Sequence, residues 1–176
     1  HDQNTWDYLG YHDQGCNSTF GCTDELAFNY DPCAEQDDGT CIYQEEATIY
    51  DIQGGVESSP YMGYPVSTTG LVTGVNYVGF YLQDPMGGSW SGIWVYAQAL
   101  ENFNDVLVGD EVNVTGIVVE YYGSTVIEAD GLNIISSGNL LPDPISISTG
   151  SLGEEHEGVL VKFDNAVCNC LGGVEE

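Results

Sequence analysis

Asp31, Glu35, Asp37 and Asp38 place four carboxylates within eight residues, and the amide of Asn29 stands just before them. Oxygen donors this close together suit a hard divalent cation, and calcium loops combine alternating oxygen ligands with a glycine at the sharp turn. The pattern is incomplete here. The D-x-[DN]-x-[DN]-G register is absent, and Cys33 occupies one alternating position. Two readings stand: these five residues are calcium ligands, or they are solvated carboxylates and amide of turns. The overall balance weighs toward metal, because 28 Asp and Glu face a single basic residue, Lys162, for a formal net charge of −27 over 176 residues.

The same imbalance excludes partners. Phosphate neutralisation needs Lys and Arg, so DNA, RNA and anionic membrane surfaces are not expected to bind without a bridging cation. No apolar run reaches the ~18 residues of a membrane span. The chain shows no signal peptide and no initiating Met, which reads as a processed or truncated start.

Six cysteines carry the second kind of chemistry. Cys16, Cys22, Cys33 and Cys41 crowd one stretch, and Cys168 and Cys170 lie near the end. In a core-poor segment this reads as disulfide stapling in an oxidising compartment, hence a secreted or cell-surface protein. Zinc is the rival, but the paired C-x₂-C spacing is missing. A Cys168–Cys170 bridge across one residue would be strained, so crosslinks to other copies are the expected use. Sequons at Asn17-Ser18-Thr19 and Asn113-Val114-Thr115 offer Asn17 and Asn113 as glycan acceptors.

Catalysis is not expected. His1, His12 and His156 lie in polar segments without a nucleophile pattern. His156 sits within Glu154-Glu155-His156-Glu157, where acidic neighbours would raise its basicity, and it reads as a solvated loop histidine. Neither H-E-x-x-H nor G-x-S-x-G occurs. Stacking is the remaining chemistry. Tyr77, Phe80, Tyr81, Trp90, Trp94, Tyr96, Tyr121 and Tyr122 are available, and strand alternation must bury some of them. Trp90 and Tyr96 are the residues selected as ring-stacking candidates. Single-stranded nucleic acid also wants a positive groove, whereas an uncharged carbohydrate does not.

These residues need elements to position them. Residues 1–15 form an arm too short to fold alone. Residues 16–43 are rich in Asp, Asn, Gly and Cys, with a helical turn expected over Thr23–Ala27 and turns at Asn29-Tyr30-Asp31-Pro32 and Asp37-Asp38-Gly39. From Thr48 onward the pattern is of strands: Val66–Val75, Tyr77–Gln83, Ser91–Ala97, Asp110–Tyr122, and Thr125–Ile135 with a break near Asp130-Gly131. Residues 99–105 read as a short helix or loop. Five strands with a short element between the third and fourth predict an all-β fold, a five-stranded OB-like Greek-key barrel over residues 48–140. Residues 141–176 read as a linker, marked by Pro142-Asp143-Pro144, and a strand arm. Glu157–Cys170 has a strand pattern and no remaining partner in its own sequence.

Two resemblances add to this. Gly21-Cys22-Thr23-Asp24-Glu25-Leu26-Ala27-Phe28-Asn29-Tyr30-Asp31-Pro32, continued by Asp37-Asp38-Gly39-Thr40-Cys41, resembles a short repeat of Bacteroidetes surface proteins that also occurs in some large DNA viruses. The resemblance implies a Cys22–Cys41 bridge and export to the cell surface. Cys33 stands where that pattern commonly has Asn, and its nearest spare partner is Cys16, giving an expected Cys16–Cys33 bridge. Ile49–Gly54, Ser59-Pro60-Tyr61, Val66–Thr73, Gly79–Pro85, Gly92–Tyr96 and Val108–Gly116 resemble, in order, the OB-like domain of secreted bacterial nucleases, over roughly residues 48–165. In that family the domain is an accessory beside a metal-dependent phosphodiesterase domain, and nothing here resembles the catalytic part.

The leading functional expectation is a non-catalytic secreted subunit that self-associates into a fibre or surface assembly by strand donation and calcium. The alternatives are an accessory substrate-positioning OB domain of a larger nuclease or phosphodiesterase, and a carbohydrate-binding adhesin module. The partners expected are other copies of the chain, divalent cations and glycans.

Overall fold

The computed structural model describes residues 18–164, which fall into two compact units divided between Gln44 and Glu45. In the first unit, β1 (Phe20–Gly21) runs parallel to β2 (Gln36–Asp37), each only two residues long. Cys22 and Ala27 are its buried apolar residues among those described. With so small a core, the unit depends on the Cys22–Cys41 disulfide, whose Cα atoms are 4.8 Å apart. Cys33 is also disulfide-bonded; its expected partner Cys16 lies outside the described residues, as do the arm 1–15, Asn17, Cys168 and Cys170. The helical turn expected over Thr23–Ala27 is a tight turn instead. Asp24 Oδ1 accepts the Leu26 N–H at 3.0 Å, and the Ala27 N–H donates to the Asp24 carbonyl at 3.0 Å. An aspartate that captures the amide two residues on closes the chain before a helix can propagate.

The second unit opens with β3 (Glu45–Glu46) and then a helix, α1 (Ile49–Gln53), in a stretch to which the sequence assigns no separate element before Val66. Thr48 and Asp51 form a reciprocal capping box, and Gly54 closes the helix at φ 62°. Ile49 and Ile52 of α1 are buried in the core.

The barrel is made of β4 (Pro65–Val75), β5 (Gly79–Gln83), β6 (Gly92–Tyr96), β7 (Glu111–Tyr121) and β8 (Ser124–Ser136). The strand order is β3-β4-β5-β6-β8-β7, and β7 pairs back onto β4. Closure rests on the length of β4. Its first half, Pro65–Leu71, pairs antiparallel with Ile117–Glu111, and its second half, Leu71–Val75, pairs with Gln83–Phe80. The register shifts between Val72 and Gly74, so the strand bends where it changes partner. A 3₁₀ turn at Glu101–Asp105 lies between β6 and β7, and β6 pairs parallel with β8. This is the expected all-β, OB-like Greek-key barrel. The break expected near Asp130 is a bulge within one continuous strand: Thr115 pairs with Gly131 and Gly116 with Ala129, which leaves Asp130 unopposed. Period-two alternation turns Val112, Val114 and Val118 of β7 inward, where they meet Phe80, Leu82 and Ile127.

Beyond the barrel, β9 (Ile145–Ile147) and β10 (Val161–Phe163) pair in parallel. This corrects the expectation that residues 157–170 carry a strand without a partner in the chain. The β-branched run after Pro144 supplies the edge, in a stretch whose prolines read as linker. The segment leading into β10 is docked on the barrel. The Leu160 N–H donates to the buried Gln83 Oε1 at 3.0 Å, and the Trp90 N–H donates to the Glu155 carbonyl at 2.7 Å. Gly92 admits the crossing, since a Cβ there would stand 2.2 Å from the Gly158 carbonyl carbon. No helix among the described residues is long and apolar enough to cross a membrane.

Candidate functional site

The alternation that fills the barrel also clothes its outside. In β5, Phe80 and Leu82 point inward and Tyr81 outward; in β6, Ile93 and Val95 point inward while Trp94 and Tyr96 face out. Register then assembles the outer surface. Tyr81 opposes Trp94, Trp94 opposes Val126, Tyr96 opposes Glu128, and Val119 opposes Val126. The Tyr81 and Trp94 rings meet edge to face with centroids 4.6 Å apart. Gly79 leaves room for the indole: a Cβ there would lie 2.9 Å from Trp94 Cζ2 and 2.0 Å from the Val95 carbonyl oxygen.

Two turns raise the rims. After β4, the Asn76 Oδ1 accepts the N–H groups of Val78 at 2.9 Å and Gly79 at 3.1 Å, and this Asx turn carries Tyr77 into solvent, 85% exposed. Between β7 and β8, Tyr122 and Gly123 have φ of 53° and 85°, the left-handed pair that a tight hairpin requires. That hairpin projects Tyr121 and Tyr122, whose rings pack edge to face at 4.6 Å. The result is a cleft of about 530 Å³ lined by Tyr77, Trp94, Tyr96 and Tyr121 over Val119 and Val126, with Glu128 as its charged group. Such a volume and an apolar lining with one polar anchor are typical of a small-ligand site. Exposed aromatic surface of this kind is what binding faces commonly present.

Of the two ring-stacking candidates, Tyr96 lines the cleft and Trp90 does not. Trp90 sits in the β5–β6 connection at φ 65°, tied to Glu155. Trp94 takes the place expected for it, and the Ile93-Trp94-Val95-Tyr96 alternation was the available signal. The expected calcium ligands hold turns. Asp31 Oδ1 accepts the Cys33 N–H at 2.8 Å, Asp37 Oδ1 accepts the Gly39 N–H at 2.8 Å, and Asp38 Oδ1 accepts the Thr40 N–H at 2.9 Å. Asn29 bonds the Thr40 carbonyl and the Ile42 N–H, both at 2.7 Å. Glu35 is exposed. The Thr40 hydroxyl hydrogen bond, ahead of the Thr40 amide, holds the Asp38 carboxyl below its ordinary range. Among the described residues, no three His, Cys, Asp or Glu side chains converge so as to hold a metal ion. The Asn113 Nδ2, the atom a glycan would occupy, donates to Ser67 Oγ at 3.1 Å and to the Thr68 carbonyl and Thr69 Oγ1 at 3.2 Å, bracing β7 against β4. His156 Nδ1 accepts the Gly153 N–H at 3.3 Å, within its own 3₁₀ turn.

One carboxylate is set against its surroundings. Glu157 accepts the Thr125 N–H at 3.3 Å, and its pKa is raised, first by burial and also by the charges of Glu154 and Glu120, against hydrogen bonds from Ser124 and Thr125. A raised folded-state pKa means the native chain holds the proton more tightly than the unfolded one. The stability this contributes is full below the ordinary carboxylate pKa and is lost as pH rises through the folded value. At pH 7, Glu157→Gln is therefore expected to stabilise the second unit by less than about 1 kcal/mol, given the solvent screening of a half-exposed group. The gain should fade below pH about 4, where the wild-type carboxyl is protonated too. Urea midpoints at the two pH values test this, and a variant less stable at pH 7 would contradict it.

Fold and cleft together define an OB-like β-barrel with an aromatic outer face. No protein-family model matches the chain, the surface repeat read at residues 21–41 included. Endonuclease YhcR of Bacillus subtilis (strain 168) is 29% identical over an alignment of 133 residues that covers 68% of this chain and 10% of that protein. The chain thus spans about a tenth of the length of the curated relative it matches. Among solved structures, OBody AM3L09 bound to hen egg-white lysozyme is similar at a TM-score of 0.42 and 18% identity, covering 52% of this chain and 95% of that one. The asparaginyl-tRNA synthetase of Pyrococcus horikoshii is similar at 0.37 and 19% identity, covering 48% and 22%. The hypothetical protein ygiW from E. coli is similar at 0.34 and 18% identity, covering 42% and 77%.

Proposed function

We propose that this chain is a non-catalytic, extracellular OB-like module that serves as the accessory part of a nuclease or phosphodiesterase, holding a ligand in its aromatic cleft while chemistry proceeds elsewhere. The alignment with about a tenth of an endonuclease carries the reading: it covers 68% of this chain, and an OB-like barrel is a fold that binds and positions. The side chains agree. The loop histidine His156 holds its own turn, and the carboxylates of Asp31, Asp37 and Asp38 hold theirs. The disulfide fits an oxidising exterior. Fibre growth by strand donation loses its main support, because β10 finds β9 within the chain.

The test has two arms. The purified chain is expected to give no turnover of DNA or bis-p-nitrophenyl phosphate with calcium, magnesium or manganese. Deleting the aligned segment from the Bacillus endonuclease is expected to leave its kcat on naked DNA little changed. Metal-dependent hydrolysis by this chain, or an endonuclease whose kcat collapses on the deletion, would overturn the proposal.

A further inference from the structure

The cleft's own chemistry selects a class of ligand. Its walls include the rings of Trp94, Tyr77, Tyr96 and Tyr121, and aromatic rings present the negative end of their quadrupole to a cation that stacks on them. Its one charged lining group is Glu128, exposed and directly across from Tyr96 on the neighbouring strand. The chain around it has a net charge of −27, and its sole basic side chain, Lys162, lies on β10 beside Asp164 at 3.9 Å. An anion entering the cleft therefore meets rings, a carboxylate and a like-signed field, with no cation to receive it. A neutral sugar gains stacking and hydroxyl hydrogen bonds to the carboxylate, but neither ring–cation attraction nor long-range steering. A cationic head gains the ring faces, the Glu128 carboxylate and long-range steering together.

We infer that the cleft binds a basic peptide segment, with a guanidinium or ammonium head stacked on Trp94 and Tyr96 and paired with Glu128. Arginine fits better than lysine, because its flat guanidinium lies on an indole and still donates sideways to a carboxylate. The cleft volume of about 530 Å³ accommodates one such side chain with its flanking backbone. The inference rests on the binding-module reading only in taking the cleft as the ligand site, and the nuclease assays above are independent of it.

The probe is a blocked tri-arginine peptide, titrated calorimetrically into the intact chain at about 0.15 M salt, where long-range attraction to the acidic surface is largely screened. The control ligand is the tri-citrulline peptide, equal in shape and uncharged. Tri-arginine is expected to bind one to one and roughly tenfold or more tighter than tri-citrulline. Trp94→Ala should weaken it roughly tenfold, and Glu128→Gln severalfold. Glu57→Gln removes an exposed carboxylate that does not line the cleft and should have little effect. If Trp94→Ala fails to fold, Tyr96→Ala, at a solvent-facing ring, carries the same expectation. Equal affinity for tri-citrulline would overturn the proposal. So would indifference to the cleft substitutions, which would reveal only diffuse attraction to an acidic surface, or tighter capture of a chito-oligosaccharide or oligothymidine by the same residues.

Discussion

Replacing Phe80 with alanine is expected to cost the barrel about 3–5 kcal/mol, the range for deleting a fully buried aromatic ring. Phe80 is 0% exposed, and its ring stacks against Phe103 with centroids 6.5 Å apart. Phe103 comes from the 3₁₀ turn between β6 and β7, so one ring ties strand β5 to the crossover on the far side of the topology. The cavity left behind cannot close cheaply, because its walls are strands fixed by their ladders. Domains of this size carry roughly 5–15 kcal/mol in all, so the variant should lose a large share of its stability. The urea midpoint should fall with little change in slope. Tyr81→Ala, the next residue, faces outward, so its cost should be limited to about the 0.5–1.5 kcal/mol of the edge-to-face pair with Trp94. If the two substitutions cost the same, the inward and outward assignment of β5 is wrong.

Cys41→Ser should unfold the first unit and leave the barrel standing. The Cys22–Cys41 bridge closes a loop of sequence separation 19. By the chain-entropy account, such a loop confers about 3 kcal/mol on the folded state. Around it are two-residue strands and a core in which Cys22 itself, 1% exposed, is a principal member. Apart from the disulfide at Cys33, what remains is polar: Asn29 bonded to Thr40 and Ile42, and the Asp31 N–H donating to the Cys22 carbonyl at 2.8 Å. Net hydrogen bonds of about 1 kcal/mol each do not offset the freed chain entropy in a unit this small. Hydrogen exchange reads the outcome. Amide protection at Phe28 and Ile42, whose N–H groups are bonded within the first unit, should vanish, while protection at Val114 in β7 persists. Loss of protection at Val114 as well would mean that the barrel depends on the first unit for its fold.

The barrel was largely legible because its signal is local. Val112 and Val114 alternate with Glu111, Asn113 and Thr115 in a strand long enough for the period to show, and turn residues such as Asp84-Pro85-Met86-Gly87-Gly88 and Gly123 mark the ends of runs. The helix α1 was not legible by period, since Ile49–Gln53 is shorter than two turns. Its caps, Thr48 with Asp51 and then Gly54, were the readable part. Pairing of β9 with β10 was hidden for another reason: two three-residue strands fourteen residues apart carry too little pattern to announce a partner. The cleft lay between these cases. Every ring that lines it could be named from the sequence, but choosing Trp94 over Trp90 required knowing which tryptophan lies within a strand and which in the connection before it. Asp31, Asp37 and Asp38 carry a signal with two uses. Their spacing suits a cation, and it suits consecutive Asx turns equally well, because both uses ask for short acidic side chains beside Gly, Thr and Pro.

The double allegiance of β4 has a wider effect. Since its two halves bond to β7 and to β5, the barrel strands form a loop of ladders without a first or last member. Among the described residues, a stranger's polypeptide finds fewer open amides and carbonyls along that loop than along an open sheet, chiefly the stretch of β8 beyond Glu128 that pairs with β7 alone. Copies held at high local density should therefore resist templated cross-β deposition, and their shared negative sign adds colloidal repulsion to that topological protection.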